Sequence, residues 1–142
     1  MSNINEVLSS SKIFASLEKK EMQKMEMLFD KRNIFPGDIL TNKGETAQFF
    51  FLLHAGTLLL DMDDGKSVVL DTIGDFIGLE LLSIKGLYKT DIIVLEKGSI
   101  FAISRQNFLN FIQQDSDGAA IVMKSWQEYL IKTALFAKKS KL

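Results

Sequence analysis

Hydrophobic residues follow a helical spacing near the start of the chain. Between Leu17 and Phe29 the apolar positions recur every three or four residues, which predicts an amphipathic helix over 17–29. Ser16 stands before this segment as a capping residue and Glu18 lies in its first turn, where the helix dipole favours a negative charge. The methionines of the segment are expected to fill gaps in the core.

Beyond this helix, short apolar runs alternate with turns that contain glycine. Pro36-Gly37 and Asp63-Asp64-Gly65 favour chain reversal. Further breaks are expected at His54-Ala55-Gly56 and at Glu96-Lys97-Gly98. Many short strands at regular spacing are typical of a sandwich or jelly roll and not of alternating strands and helices. The predicted strands cover residues 32–35, 38–41, 48–53, 57–62, 66–73, 91–95 and 99–103.

Two helices are predicted after the strands. Ser104 caps the first, over 105–114. A second is predicted over 119–137, because its large apolar residues share one broad face while Lys124, Gln127, Glu128 and Lys132 share the other. The apolar face consists of Val122, Met123, Trp126, Tyr129, Leu130, Thr133, Phe136 and Ala137.

Composition narrows the class of protein. With 142 residues, 46% of them hydrophobic and 25% charged, the chain is expected to form one globular domain over 1–142. The formal net charge of −1 provides no general attraction to a nucleic acid backbone. Cysteine is absent, which excludes disulfides, thiolate clusters and a cysteine nucleophile, and fits the reducing cytoplasm. Neither a signal peptide nor a membrane-spanning segment is evident.

One stretch carries the candidate chemistry. Residues 74–90 read GDFIGLELLSIKGLYKT, which resembles the phosphate-binding cassette of cyclic nucleotide-binding domains. In that family a carboxylate binds the ribose, free N–H groups at a helix start meet the phosphate, and an arginine clamps it. Aligned without gaps, the cassette places Leu79 at the carboxylate position and Lys89 at the arginine position. The ligand-binding residues implied by the resemblance are Gly78, Leu79, Glu80, Leu81, Lys89 and Thr90.

The resemblance extends over most of the chain. Residues 36–58 contain PGDIL, GETA and QFFFLLHAGTL, which are similar to the glycine ladder of the same family, and ISRQNFLNFI is similar to its first segment after the barrel. The Crp/Fnr regulator superfamily is therefore the suspected family. It implies a mainly β fold with flanking helices: a double-stranded β-helix (jelly-roll) barrel over about 31–104, an N-terminal helix, and a C-terminal helical hinge with a dimerisation helix over about 118–138.

The resemblance also implies partners. The last helix pairs with its copy in related homodimers, and Val122, Trp126, Tyr129 and Thr133 are the residues expected at such an interface. Crp/Fnr regulators continue into a helix-turn-helix. The printed chain ends instead with Lys138-Lys139-Ser140-Lys141-Leu142, so no direct contact with nucleic acid is expected, and no membrane contact either. A partner protein is not identified by the sequence.

Few side chains in the sequence are suited to catalysis. His54 is the single histidine, which is expected to be a half-exposed packing residue, and no catalytic or metal-binding set is predicted. Arg32 and Arg105 are the only arginines, and both lie outside the cassette. Two functions remain open. The chain is either a sensor module that binds a small anion, with cyclic AMP and cyclic GMP as candidate ligands bound weakly or not at all, or a structural or protein-interaction domain whose pocket is vestigial.

Overall fold

The computed structural model describes residues 3–11, 14–62, 65–78, 86–114, 117–125 and 128. Helices lie at both ends of this part of the chain and strands occupy its middle. Residues 117–125 are helical. The remaining elements are α1 (Asn3–Ser10), α2 (Lys19–Glu26), β1 (Asp30–Ile34), β2 (Ile39–Thr41), β3 (Phe49–Met62), β4 (Ser67–Leu70), β5 (Phe76–Ile77), β6 (Thr90–Ser104) and α3 (Arg105–Gln113).

The six strands form one antiparallel sheet. Its order is β1-β6-β3-β4, with β2 paired to β6 and β5 paired to β3. Strands β3 and β6 are the long central pair, in register from Phe49 opposite Ser104 to Met62 opposite Thr90. The pairings of the described strands do not close the sheet into a ring. The architecture is the mainly β jelly roll with flanking helices that the sequence predicts.

The two long strands bend together at a pair of glycines. A methyl group at Gly98 would overlap the carbonyl oxygen of Ala55, and one at Gly56 would lie 2.8 Å from that of Glu96. Gly56 also has φ +103°, which side-chain-bearing residues rarely adopt. The register shifts between Leu53 and Leu58. The prediction that the strands end at these two glycines is therefore wrong. Gly56 and Gly98 lie at bends inside the continuous strands β3 and β6.

The bend divides each long strand into two parts with different surroundings. Residues 50–53 and 99–103 are buried on both faces, which explains the unbroken apolar run in this part of β3. On one face the helices cover them, and on the other the two parts of the sheet cover each other. We call this second cluster the inner core, and it contains Ile34, Phe51, Leu53, Leu58, Ile77, Ile92, Val94, Ile100 and Ala102.

The helices pack on the outside of this two-sided region and form an outer core. Phe14 lies at its centre, with ring centroids 5.9 Å from Phe50 and 6.3 Å from Phe108. Val7 and Leu8 of α1 are fully buried in the same cluster, although the sequence analysis predicts no helix there. None of the helices in the described part of the chain is long and apolar enough to cross a membrane.

Helix α2 is shorter than its predicted span of 17–29. Its N-cap is Glu18, with extended dihedrals of −68° and 157°, and Met27 is its C-cap. Ser16 is therefore not the cap. The apolar face that the sequence predicts for this helix is nevertheless buried, since Met22 and Met25 both lie in the outer core.

Candidate functional site

The two ends of the predicted cassette meet at the backbone of Phe49. Gly78, at the first end, has φ +98°, and a methyl group there would lie 2.5 Å from the Phe49 carbonyl oxygen. Tyr88, at the second end, donates its hydroxyl to the same carbonyl at 2.9 Å and accepts from the Phe49 N–H at 3.1 Å. Only glycine fits the first contact, so the glycine of the motif has a structural reason.

The segment just before β3 anchors the second end of the cassette. The Gly44 N–H donates to the Tyr88 carbonyl at 3.0 Å, and the Tyr88 N–H donates to the Glu45 carbonyl at 2.9 Å. The Ala47 N–H donates to the Gly86 carbonyl at 2.7 Å. The GETA motif of the sequence is thus a backbone cradle for residues 86–88.

Lys89 and Thr90 follow this anchored point directly. Lys89 is exposed, and Thr90 is half-buried at the start of β6. Because side chains alternate along a strand, Thr90 shares the face of Ile92 and Val94, which lie in the inner core. Leu79, Glu80 and Leu81 lie outside the described residues. Of the predicted ligand-binding residues, the structure places Gly78, Lys89 and Thr90 around one connected region.

A threonine and an ion pair fix the strand that carries Thr90. The buried Thr41 donates its hydroxyl to the Thr90 carbonyl at 2.8 Å. Asp91 accepts from the Lys43 N–H at 2.7 Å and lies 4.0 Å from the Lys43 ammonium. These contacts fix the backbone of β6 at the edge of the inner core. Thr90 and Ile92 occupy the alternate positions of this strand, whose side chains face inward.

Both arginines lie close to this region in space. The guanidinium of Arg32 stands over the ring of Phe49, 4.3 Å from its centroid. The guanidinium of Arg105 lies against Gly86, with Nη2 3.7 Å from where a methyl group on that glycine would be. Sequence reasoning set both residues aside because they are distant from the cassette along the chain. No periodic pattern could have found them, since the pairings of β1 with β6 and of β6 with β3 bring them near.

His54 has no catalytic surroundings among the described residues. Its Nδ1 lies 2.7 Å from the hydroxyl of Ser99, and its ring centroid lies 5.9 Å from that of Phe101. The side chain is half-buried, as expected of a packing residue. The described residues contain no group of three or more histidine, cysteine, aspartate or glutamate side chains that could hold a metal ion.

A cavity of about 280 Å³ opens between α1 and the turn that precedes β5, and Gly74, Asp75 and Phe76 from the start of the 74–90 stretch form part of its lining. Of the predicted ligand-binding residues that the structure describes, Gly78, Lys89 and Thr90, none lines it. We therefore place the candidate site at the part of the cassette around Gly78, Tyr88 and Lys89. The cavity is lined by Ser10, Leu70, Thr72, Ile73, Gly74, Asp75 and Phe76.

The structure describes the first part of the last helix, residues 117–125 and 128. Val122 is 1% exposed and packs in the outer core of its own chain, together with Ala119. Lys124 and Glu128 are exposed, as the two-faced pattern predicts. The other residues expected at a dimer interface, Trp126, Tyr129 and Thr133, lie outside the described residues.

Residues 31–115 match the family model of the cyclic nucleotide-binding domain. This match covers more than half of the chain and includes the cassette, its cradle and both long strands. The chain therefore belongs to the cyclic nucleotide-binding domain family.

Individual relatives are distant in sequence. The chain is 23% identical over 137 residues to the alpha subunit of the rod photoreceptor cyclic nucleotide-gated channel of Gallus gallus, covering 92% of itself and 21% of the channel subunit. It thus spans about a fifth of that relative's length. The structure is similar to the catabolite activator protein of Thermus thermophilus, with a TM-score of 0.78, 19% identity and coverage of 92% of this chain and 61% of that one.

A further similar structure is the regulatory subunit of a cAMP-independent protein kinase A from Trypanosoma brucei. The TM-score is 0.76 at 18% identity, and the match covers 96% of this chain and 48% of the other. At this level of identity the two structural matches establish the fold, which is the jelly roll with flanking helices.

Proposed function

We propose that the chain is a ligand-responsive regulatory module that binds a small anionic molecule at the cassette, between the sheet and the last helix, and has no catalytic role of its own. The observation that carries the proposal is the convergence of Gly78 and Tyr88 on the backbone of Phe49. Gly78 at φ +98° and the hydroxyl of Tyr88 keep the backbone frame that a ligand-binding cassette needs. Membership of the cyclic nucleotide-binding family supports the same proposal.

Cyclic nucleotides are expected to bind weakly. Lys89 offers a point charge in place of the bidentate fork of an arginine, and Leu79 offers no acceptor for a ribose hydroxyl. Each missing charge-assisted bond removes roughly 1.5–3 kcal/mol. Two such losses weaken binding by roughly two to four orders of magnitude, because about 1.4 kcal/mol corresponds to a factor of ten.

The second candidate is a protein-interaction domain with no small ligand. The observation in its favour is the inner core, where Phe51, Leu58 and Ile92 fill the space between the two parts of the sheet. The related Trypanosoma brucei subunit belongs to a kinase described as cAMP-independent, so this fold also occurs in regulators that do not respond to cyclic AMP.

Isothermal titration with cyclic AMP and cyclic GMP separates the two functions. We expect a weak, saturable heat for at least one nucleotide, with a dissociation constant in the high micromolar range or weaker. Lys89→Ala is expected to weaken that binding further, because it removes the cation at the arginine position of the cassette. Lys97→Ala is the matched control, since this lysine is also exposed but lies at the bend of β6, whereas Lys89 directly precedes that strand.

The absence of any saturable heat for either nucleotide would favour the interaction domain. Tight binding that survives Lys89→Ala would instead show that the cassette contacts its ligand by other residues. Cytoplasmic localisation and pairing through the last helix are part of the proposal as well. They rest on the absence of cysteine and on the apolar face around Trp126.

A further inference from the structure

Arg105 is a cation whose charge is not balanced by the described residues. It is the first residue of α3, and its side chain is half-buried. The Nε atom is shielded from solvent and has no hydrogen-bond partner. A buried donor without a partner is costly, and more so when the group is charged. Such a group needs an explanation, and a bound ion is one that suits a cation.

A backbone hydrogen bond and a contact of the guanidinium fix the position of Arg105. Its N–H donates to the Gln48 carbonyl at 2.8 Å, and the neighbouring Ala47 N–H donates to the Gly86 carbonyl at 2.7 Å. Segment 47–48 therefore links the start of α3 to the end of the cassette. Across this link the guanidinium lies flat against Gly86, with Nη2, Cζ and Nη1 at 3.7, 3.8 and 3.9 Å from the site of an added methyl group.

Helix α3 adds to the positive potential at this point. Its nine residues begin at Arg105, and its N-cap Ser104 accepts from the Asn107 N–H at 3.1 Å. Its axis dipole therefore has its positive end beside the guanidinium. The described carboxylate that is buried without full hydrogen bonding, Glu21, is directed elsewhere, against Gly118, and pairs with Lys24 at 3.5 Å.

We propose that Arg105 binds the phosphate group of the ligand, on the side of the cassette formed by Gly86 and the start of α3. The inference rests on the proposed function for the class of ligand. A guanidinium offers parallel donors that match the oxygens of a phosphate, and a phosphate oxygen balances its charge, which a water molecule does not. Arg105 thus supplies a second cation beside Lys89, on a different side of the cassette.

The test observes the arginine directly. The chain has two arginines, so an ¹⁵N-labelled sample gives two side-chain Nε–H signals, which Arg105→Gln and Arg32→Gln assign. The signals are followed during titration with cyclic AMP, with inorganic phosphate and with adenosine, at constant ionic strength. We expect saturable shifts of the Arg105 signal with the first two probes and none with adenosine. The Arg32 signal is expected to stay in place.

Variants supply the second readout. Arg105→Gln is expected to weaken the binding of inorganic phosphate and of cyclic AMP by roughly tenfold to a hundredfold, the effect of one lost charge-assisted bond. Arg105→Lys keeps the charge and is expected to recover part of the affinity. Arg32→Gln, the control, is expected to change neither affinity. Circular dichroism confirms that each variant is folded.

The outcomes separate this proposal from the proposed function. If cyclic AMP binds by calorimetry while the Arg105 signal stays in place and Arg105→Gln binds equally well, the role of Arg105 is refuted and the sensor function stands. If inorganic phosphate shifts the signal but neither nucleotide binds, the anion site stands and the nucleotide function falls. Absence of a saturable shift with every probe refutes the site.

Discussion

Phe49 joins the two ends of the cassette through its backbone, and Tyr88 is the side chain that makes this connection. The hydroxyl of Tyr88 satisfies both the N–H and the carbonyl of Phe49. Tyr88 is 7% exposed, so water does not readily replace the hydroxyl. The frame of the site thus depends on a residue that contacts no ligand in our account.

Tyr88→Phe tests this dependence. The variant keeps the ring but leaves two backbone groups of Phe49 without their partner. We expect the free energy of unfolding, measured by urea denaturation, to fall by about 1–3 kcal/mol. Thr72→Val is the control, because it removes a hydroxyl that is exposed. Equal stability of Tyr88→Phe and this control would show that the clamp contributes nothing to the frame.

At the scale of single residues, the sequence indicates part of the candidate ligand-binding site. Gly78, Lys89 and Thr90 follow from the order of residues in the cassette, and the structure places them around one region. Tyr88 and Arg105 do not follow from it. Tyr88 contacts Phe49, which lies 39 positions away along the chain. Arg105 comes near the cassette through the pairing of the two long strands. Neither contact leaves a local pattern in the sequence.

Among the elements, β3 and β6 show where sequence patterns succeed and fail. The apolar runs of both strands are predicted correctly, because burial requires them. The glycines between those runs are predicted to end the strands, since glycine commonly does so. In the structure they permit close approach instead, with Gly98 packed against the Ala55 carbonyl. Sequence alone does not distinguish a glycine that ends a strand from one that bends it.

The short elements fail for a different reason. Helix α1 has eight residues and β5 has two, too few for a periodic pattern to be decisive. Both are fixed by tertiary contacts: Val7 and Leu8 pack in the outer core, and β5 pairs with residues 51–52 of β3. Helix α3, by contrast, is predicted to within one residue at each end because Ser104 caps it.

For the whole molecule, association is the property that remains to be tested. Val122 is covered by the chain's own core, whereas Trp126 and Tyr129 belong to the same apolar face of the sequence pattern. We expect a homodimer along this helix, observed by light scattering at high micromolar concentration. Trp126→Glu is expected to give a monomer, because a charge in an apolar interface loses its hydration.

Glu128→Ala is the control for association, since Glu128 is exposed on the opposite face. It is expected to leave the dimer intact. A wild-type chain that scatters as a monomer at the same concentration would contradict pairing through this helix, and Trp126→Glu would then have no effect on size.

The central claim is that the chain keeps the frame of a cyclic nucleotide cassette and lacks two of its charged groups. The measurement that tests it most directly is the affinity for cyclic AMP of the double variant Leu79→Glu with Lys89→Arg, by isothermal titration beside the wild type. With the frame held at Phe49, the account predicts that affinity rises by roughly two to four orders of magnitude. A folded double variant that binds no better than the wild type would contradict it.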